Sequence, residues 1–259
     1  MKTQKTSLSR KLAIQGFDLA AGGHNFFGLL EFDISRLRPT LRQARREGKG
    51  GSLYAFFLKA VGHTVASEPL FNAFIDYRRT TTFDTVDIAV PIEISTSRGV
   101  ENRQYVLRDV VHKTVSQIAD EMDAAKRDQS SATGFLDSKF WQDLLGTLPR
   151  SLVAWLFRRA LRDHGLVKNL SGTLFVTSVS MYLSVPGFIV PYIGGPKAAS
   201  FAFGSVYKKP VVVSDAIVIR EIVSVTAVFN HDLIDGAPAA RFIGKLKRLI
   251  ETDSASLLG

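Results

Sequence analysis

His231 and Asp235 stand four residues apart in the run Asn230-His231-Asp232-Leu233-Ile234-Asp235-Gly236. Imidazole is the side chain best suited to proton transfer near neutral pH, and this His-x-x-x-Asp-Gly spacing puts one at a corner between two regular elements. Upstream, Ala216 to Phe229 reads as a strand, with Ile217, Ile219, Ile222, Val225 and Val228 among many β-branched residues. Downstream, Ala237 to Glu251 reads as a helix whose apolar face carries Ala239, Phe242, Ile243, Leu246, Leu249 and Ile250. Asp235 occupies an N-cap position, and Pro238 falls in the tolerant first turn. A loop held from both sides can fix a general base. The same residues also fit an ordinary turn, since Asp-Gly is a common turn dipeptide and short motifs match by chance.

Other elements must position that corner. Asp33 to Arg46 suggests a helix whose first turn starts late because of Pro39. Ser52 can cap a second helix running to about Ala66, with Leu53, Phe56, Phe57, Ala60 and Val61 on one face. Phe71 to Tyr77 and Val86 to Ile94 read as strands, and Lys113 to Arg127 as a helix. Strands dominate from Thr173 to Phe229. The pattern predicts one α/β (α+β) domain over residues 1–259, a mixed sheet flanked by helices, with no internal repeat.

Composition narrows the function classes. The 259 residues are 46% hydrophobic and carry a formal net charge of +9, which suits a globular chain with a well-buried core. The absence of Cys excludes a thiolate nucleophile, disulfides and cysteine-based metal sites. His24, His63, His112 and His164 lack metal-ligand spacing, so no metal is expected. The polar N-terminus lacks the apolar core of a secretory signal, and no apolar run reaches the roughly 20 residues that span a bilayer, so a cytoplasmic location is expected.

Basic residues cluster at Arg36, Arg38, Arg42, Arg45, Arg46 and Lys49, at Arg158, Arg159 and Arg162, and at Lys245, Lys247 and Arg248. Solvated helix faces explain such runs, and so does attraction of an anionic substrate. No nucleic-acid partner is expected, because the bases are spread over several helices and no reader motif accompanies them. Lys139 to His164 is rich in Leu, Trp and Phe with arginines between. Pro149 should break it into two helices, the second starting near Arg150 or Ser151. It reads as an extra helical pair packed on the core, as a lid, or as a helix lying on a membrane surface.

At this point a family likeness enters. Phe229 to Ile243, reading FNHDLIDGAPAARFI, resembles the C-terminal active-site segment of the dihydrolipoamide acyltransferases, the catalytic domains of 2-oxo acid dehydrogenase complexes, which are similar in fold to chloramphenicol acetyltransferase. Gly172 to Val179, Ala198 to Val213, Gly51 to Val61 and Leu70 to Ala73 resemble further blocks of that family in the expected order. The resemblance implies acyl transfer between a coenzyme A (or similar pantetheine) thioester and an unidentified acceptor, without an acyl-enzyme. His231 would be the general base and Thr177 the oxyanion donor, standing where the family usually has serine. Asp235 would hold the histidine loop, with Arg10, Ser178 and Gly236 as candidate supporting residues. It also implies a homotrimer, or a multiple of trimers, with the site between chains. Relative to that family the 139–164 stretch looks like an insertion. Asn230 replaces a usual Asp, Glu101 to Arg108 is unusually polar, and no lipoyl domain is recognisable, so the expectation is a free-standing enzyme. A catalytically silent trimeric scaffold of the same fold is the alternative.

Overall fold

A computed structural model describes residues 3, 6, 10–11, 14, 16–18, 21, 23–96, 99–127, 146–183, 185–191 and 195–258. In chain order its elements are β1 (Asn25–Asp33), α1 (Leu37–Arg46), α2 (Leu53–Ala66), β2 (Ala73–Ile75), β3 (Thr80–Thr82), β4 (Ile88–Thr96) and β5 (Gly99–Leu107). There follow α3 (Val115–Arg127), α4 (Arg150–Leu161), α5 (His164–Ser171), β6 (Leu174–Ser178), β7 (Ala199–Val213), β8 (Ala216–Asn230) and α6 (Gly236–Glu251), with short 3₁₀ turns between some of them.

Among the described residues six strands form a mixed sheet in the order β1-β8-β7-β6-β4-β5, and β2 and β3 pair separately. β6 runs parallel to both β4 and β7, while the other neighbours are antiparallel. Helices cover one face. There Phe57 of α2 stacks on Phe203 of β7 at 4.0 Å between ring centres, and Phe242 of α6 stacks on Phe71 at 4.3 Å. Phe201 stacks on Phe242 as well, and Phe229 meets both rings edge-on, so α6 is clamped to the strand that ends at the histidine corner.

Local rules set most of these boundaries. Ser52 caps α2 as expected, its Oγ accepting the Ala55 N–H at 3.0 Å. The helix expected from Asp33 starts instead at Leu37, because Asp33 closes β1 opposite Ile222 and its carboxylate turns the chain by accepting the Ser35 N–H. The strand expected over Phe71–Tyr77 shrinks to Ala73–Ile75. Pro69 opens a 3₁₀ turn there, and the Asn72 amide is spent on the carbonyls of Phe83 and Thr85. The polar stretch 101–108 belongs mostly to β5, which among the described residues pairs only with β4, at the sheet edge, a position where polar residues are tolerated.

Pro149 does break the 139–164 segment, and the second helix starts at Arg150. Residues 139–145, and the first helix expected there, lie outside the described residues. Asp163 then caps α5 through the Leu166 N–H, a helix start that the periodicity did not reveal. Gly172 ends α5 with φ +63°, where a Cβ would stand 2.6 Å from the Asp87 carbonyl oxygen, so only glycine lets β6 follow so tightly. Among the described residues no helix is long and apolar enough to cross a membrane.

Candidate active site

β8 delivers the chain to His231 through a fully paired strand, and buried Asn230 makes the turn. Its Oδ1 accepts the Asp232 N–H at 3.0 Å and its carbonyl accepts the N–H groups of Leu233 and Ile234. Ile234 is buried among the core residues and α6 begins two residues later. The corner is therefore anchored on both sides by burial and in the middle by hydrogen bonds. The His231 N–H donates to the His24 carbonyl at 2.7 Å, and the imidazole leans on the Phe26 ring at 5.0 Å between centres. About half of the His231 side chain remains exposed.

Asp235 takes the N-cap position of α6 with extended backbone angles, but its side chain caps nothing. Its Oδ1 lies 3.7 Å from His231 Nδ1, too far for a hydrogen bond and close enough for charge attraction. Gly236, the first residue of α6, is exposed with open space around it, so no close packing demands a glycine there. Arg10 is exposed within helical residues ahead of β1. The neighbour that sequence reasoning missed is His24, whose ring nitrogen Nδ1 sits 2.7 Å from Asp232 Oδ1. It is 207 residues from His231 in the chain, and no motif marks it.

Thr177 lies on β6, which is tied to the end of β4 by the Asp87 carbonyl accepting from Thr173 and Leu174. Its neighbour Val176 is fully buried on the helix-covered face, so by strand alternation Thr177 points to the opposite face. Among the described residues its hydroxyl has no hydrogen-bond partner. Ser178 points the other way, and its Oγ is already engaged with Ser180 Oγ at 3.0 Å. Of the two hydroxyls, Thr177 is the one left unengaged.

The sheet register measures the gap between the two candidates. Thr177 pairs with Ala202, which pairs with Thr226, and His231 lies five residues beyond Thr226. Two inter-strand spacings are about 10 Å and five strand residues about 16 Å, so the two side chains of one chain stand roughly 19 Å apart. The fold does not bring them together within a chain.

A cleft of about 600 Å³ opens beside the corner, lined by Gly23, His24, Asn230 and Asp232 on one side and by Ile75, Asp76 and Tyr77 on the other. Pro196 also lines it, and its carbonyl accepts the Ile75 N–H at 2.9 Å. The next residue, Lys197, is buried and donates to the carbonyls of Ser171 and Gly172 at 2.5 and 2.6 Å. Burial lowers its pKa to about 7, against the pull of Asp87.

Comparison with known proteins gives one family match, to the 2-oxoacid dehydrogenases acyltransferase (catalytic domain), over residues 159–258. The match begins inside the 139–164 segment, so residues 159–164 are shared with the family rather than extra. The chain is 25% identical over 229 residues to the dihydrolipoyllysine-residue succinyltransferase component of the mitochondrial 2-oxoglutarate dehydrogenase complex 1 of Arabidopsis thaliana, covering 87% of this chain and 41% of that protein. It is 24% identical over 265 residues to the corresponding succinyltransferase component of Buchnera aphidicola, covering 99% and 55%. The chain thus spans about half the length of these curated relatives. Among solved structures, a probable dihydrolipoamide acetyltransferase from Listeria monocytogenes superposes with a TM-score of 0.69 at 18% identity, over 99% of this chain and 98% of that one. The cubic core of a pyruvate dehydrogenase multienzyme complex superposes with a TM-score of 0.70 at 17% identity, over 98% and 93%. A third, with a TM-score of 0.71 at 17% identity over 98% and 93%, comes from a study of a serine, a histidine and an asparagine in the catalytic mechanism of Azotobacter vinelandii dihydrolipoamide acetyltransferase. These likenesses fix the fold.

Proposed function

We propose that this chain is an acyltransferase of the 2-oxoacid dehydrogenase type, which its C-terminal family match and its similarity to that family's members support, and that it moves an acyl group between a coenzyme A thioester and a nucleophilic acceptor by direct general-base catalysis. The observation that carries this reading is the corner itself: a half-exposed imidazole on a rigid strand-to-helix turn, with Nδ1 facing a carboxylate. His231 Nε2 then takes the acceptor's proton as its oxygen, nitrogen or sulfur attacks the thioester carbonyl. The tetrahedral oxyanion is met by the Thr177 hydroxyl. Collapse breaks the carbon–sulfur bond, and the departing thiolate recovers the proton from the imidazolium. The Asp235 carboxylate favours that imidazolium and orients the ring, with a small energy since both groups are exposed.

Thr177 and His231 of one chain are too far apart to share a reacting carbonyl, so the reading requires Thr177 from a second copy, in a homotrimer or a multiple of trimers. Two surfaces support this assembly. Phe27 and Leu29 of β1 are about half exposed on the sheet face that Thr177 shares, and Val212, Ile217 and Ile219 are exposed at the tip of the β7–β8 hairpin. Contiguous apolar exposure of this kind marks interaction sites.

The test is a panel of acyl thioesters, from acetyl to long-chain, offered with dihydrolipoamide, amines and alcohols and scored by release of free thiol. Turnover that depends on His231 supports the reading. Silence across the panel would sink it and favour a catalytically inert scaffold of the same fold.

A further inference from the structure

We propose that the outer face of α4 rests on an anionic lipid bilayer, with Leu152, Trp155 and Leu156 entering the interfacial layer and the arginines around them meeting lipid phosphates. α4 carries apolar side chains on both of its sides. Val153 is buried, and Phe157, Ala160 and Leu161, at helical spacing from it, are partly buried. Leu152, Trp155 and Leu156 fall on the other side and stay exposed, Trp155 by 59%. They lie within one turn of each other and form a contiguous apolar patch, the kind of surface that marks an interaction site.

The charge around the patch points to what covers it. Arg158, Arg159 and Arg162 follow on the outer side of the helix and are exposed. Among the described residues none of the three forms an ion pair. Arg159 and Arg162 also line a cleft of about 620 Å³ together with Asp76, Tyr77, Arg78 and Arg79, so the β2–β3 hairpin extends the same surface. Tyr77 is fully exposed there. Arg79 donates to the Arg162 carbonyl at 2.7 Å, which ties the hairpin to the helix end. Buried His164 braces it from behind, with Nδ1 2.8 Å from Thr81 Oγ1 and Nε2 3.2 Å from Asp76. The two nearby carboxylates are engaged elsewhere. Asp76 accepts the backbone N–H groups of Arg78 and Arg79 at 2.7 and 3.0 Å, and Asp163 caps α5 through the Leu166 N–H.

This mixture matches a bilayer's interfacial layer. Tryptophan and tyrosine rings sit at headgroup level, leucines reach the acyl boundary, and the guanidinium fork suits phosphate oxygens. A free polyanion would pair with the arginines and leave the patch in water, whereas an uncharged apolar partner would leave the arginines unpaired. An anionic bilayer satisfies both, and the net charge of +9 favours its approach. With 12 residues α4 is about 18 Å long, so it lies along the surface. The cleft beside the histidine corner shares Asp76, Tyr77 and Arg162 with this face, and docking would bring it next to the headgroups.

Flotation of the full chain with vesicles tests the assignment without needing turnover. The chain should float with an equimolar mixture of phosphatidylglycerol and phosphatidylcholine, far less with phosphatidylcholine alone, and less again at high salt. Trp155→Ser should weaken partitioning about tenfold. Arg158→Ser combined with Arg159→Ser should weaken it about fivefold for each arginine lost. Arg46→Ser, on the distant helix α1, should change little. The substituted side chains are exposed, so folding is expected to survive, and circular dichroism checks it. Trp141→Phe leaves Trp155 as the sole tryptophan, and its emission should shift to the blue only with the anionic vesicles. This second readout leaves Trp155 in place and stands if Trp155→Ser fails to fold. A chain that stays unbound, binds both lipids equally, or binds with no change in Trp155 emission overturns the proposal. Trp155→Ser that lowers the chain's oligomeric mass in vesicle-free solution assigns the face to a second copy, and overturns it as well.

Discussion

The histidine corner and the arginine cleft adjoin, yet they are built in opposite ways. The corner is local: strand, turn and helix follow one another within Ala216 to Glu251, and Asn230 supplies the turn's hydrogen bonds from inside the segment. The cleft is assembled from residues about eighty positions apart, Arg78 and Arg79 on one side and Arg159 and Arg162 on the other, joined by a hydrogen bond between Arg79 and the Arg162 carbonyl. Thr177 belongs with the cleft in this respect, since its place is set by pairing with β7 and by the tie to Asp87. A local device fixes a reactive group by its own geometry. A remote device works only after the whole sheet has formed.

Substitutions can break that contrast, and the largest effect should come from the corner. His231→Ala is expected to lower turnover by about 10²- to 10⁴-fold while leaving the urea unfolding midpoint nearly unchanged, because the ring is half exposed. A large shift in the midpoint would show the ring to be a packing residue. Removing the clamp behind the corner tests the local claim from the other side. Phe242 is buried against Phe71, Phe201 and Phe229, so Phe242→Ala should cost about 3–5 kcal/mol in denaturant unfolding. Activity that survives this loss undiminished would mean that α6 does not hold the histidine.

A smaller loss is expected at the remote site. Thr177→Val should reduce kcat by about 100-fold with KM nearly unchanged, and Ser178→Ala should do much less. If the site is shared between chains, co-refolding His231→Ala with Thr177→Val chains should restore part of the activity, since some interfaces then carry both intact groups. Strict failure of that mixture to exceed either parent points to a site within one chain.

The gentlest change, spread over several pH units, concerns Lys197. Burial lowers its pKa to about 7 in the folded protein, whereas an unfolded lysine keeps its proton to about pH 10.4. Between those values the unfolded chain holds the extra proton, so stability should rise from pH 7 toward pH 10 by up to about 1.4 kcal/mol per pH unit and be flat below 7. Lys197→Met should remove this slope in denaturant titrations at several pH values. An unaltered slope would assign the titration to another group.

Much of the fold was readable from particular residues. Ser52 announced α2, Pro149 announced the start of α4, and the shift from β-branched residues to helical spacing announced β8 and α6. What escaped had weak or misleading local signals. β1 was missed because Phe26, Phe27, Leu29 and Leu30 put apolar residues on both faces, with Phe27 and Leu29 left exposed, so no clean alternation appears. β5 was hidden by the polarity that an edge strand tolerates. Of the candidate site, His231 and Asp235 were legible from spacing, and Thr177 only through likeness to a family. His24 and the hairpin arginines Arg78 and Arg79 carry no local signature at all.

By itself the sequence determined the order and kind of most elements and the chemistry available at the corner, because propensity, capping and a strand-to-helix transition act between neighbours in the chain. The tertiary structure decided which face Thr177 points to, how far it stands from His231, and that two distant arginine pairs enclose one cleft. Those facts depend on strand order and register, which are settled by the joint burial of side chains far apart in sequence.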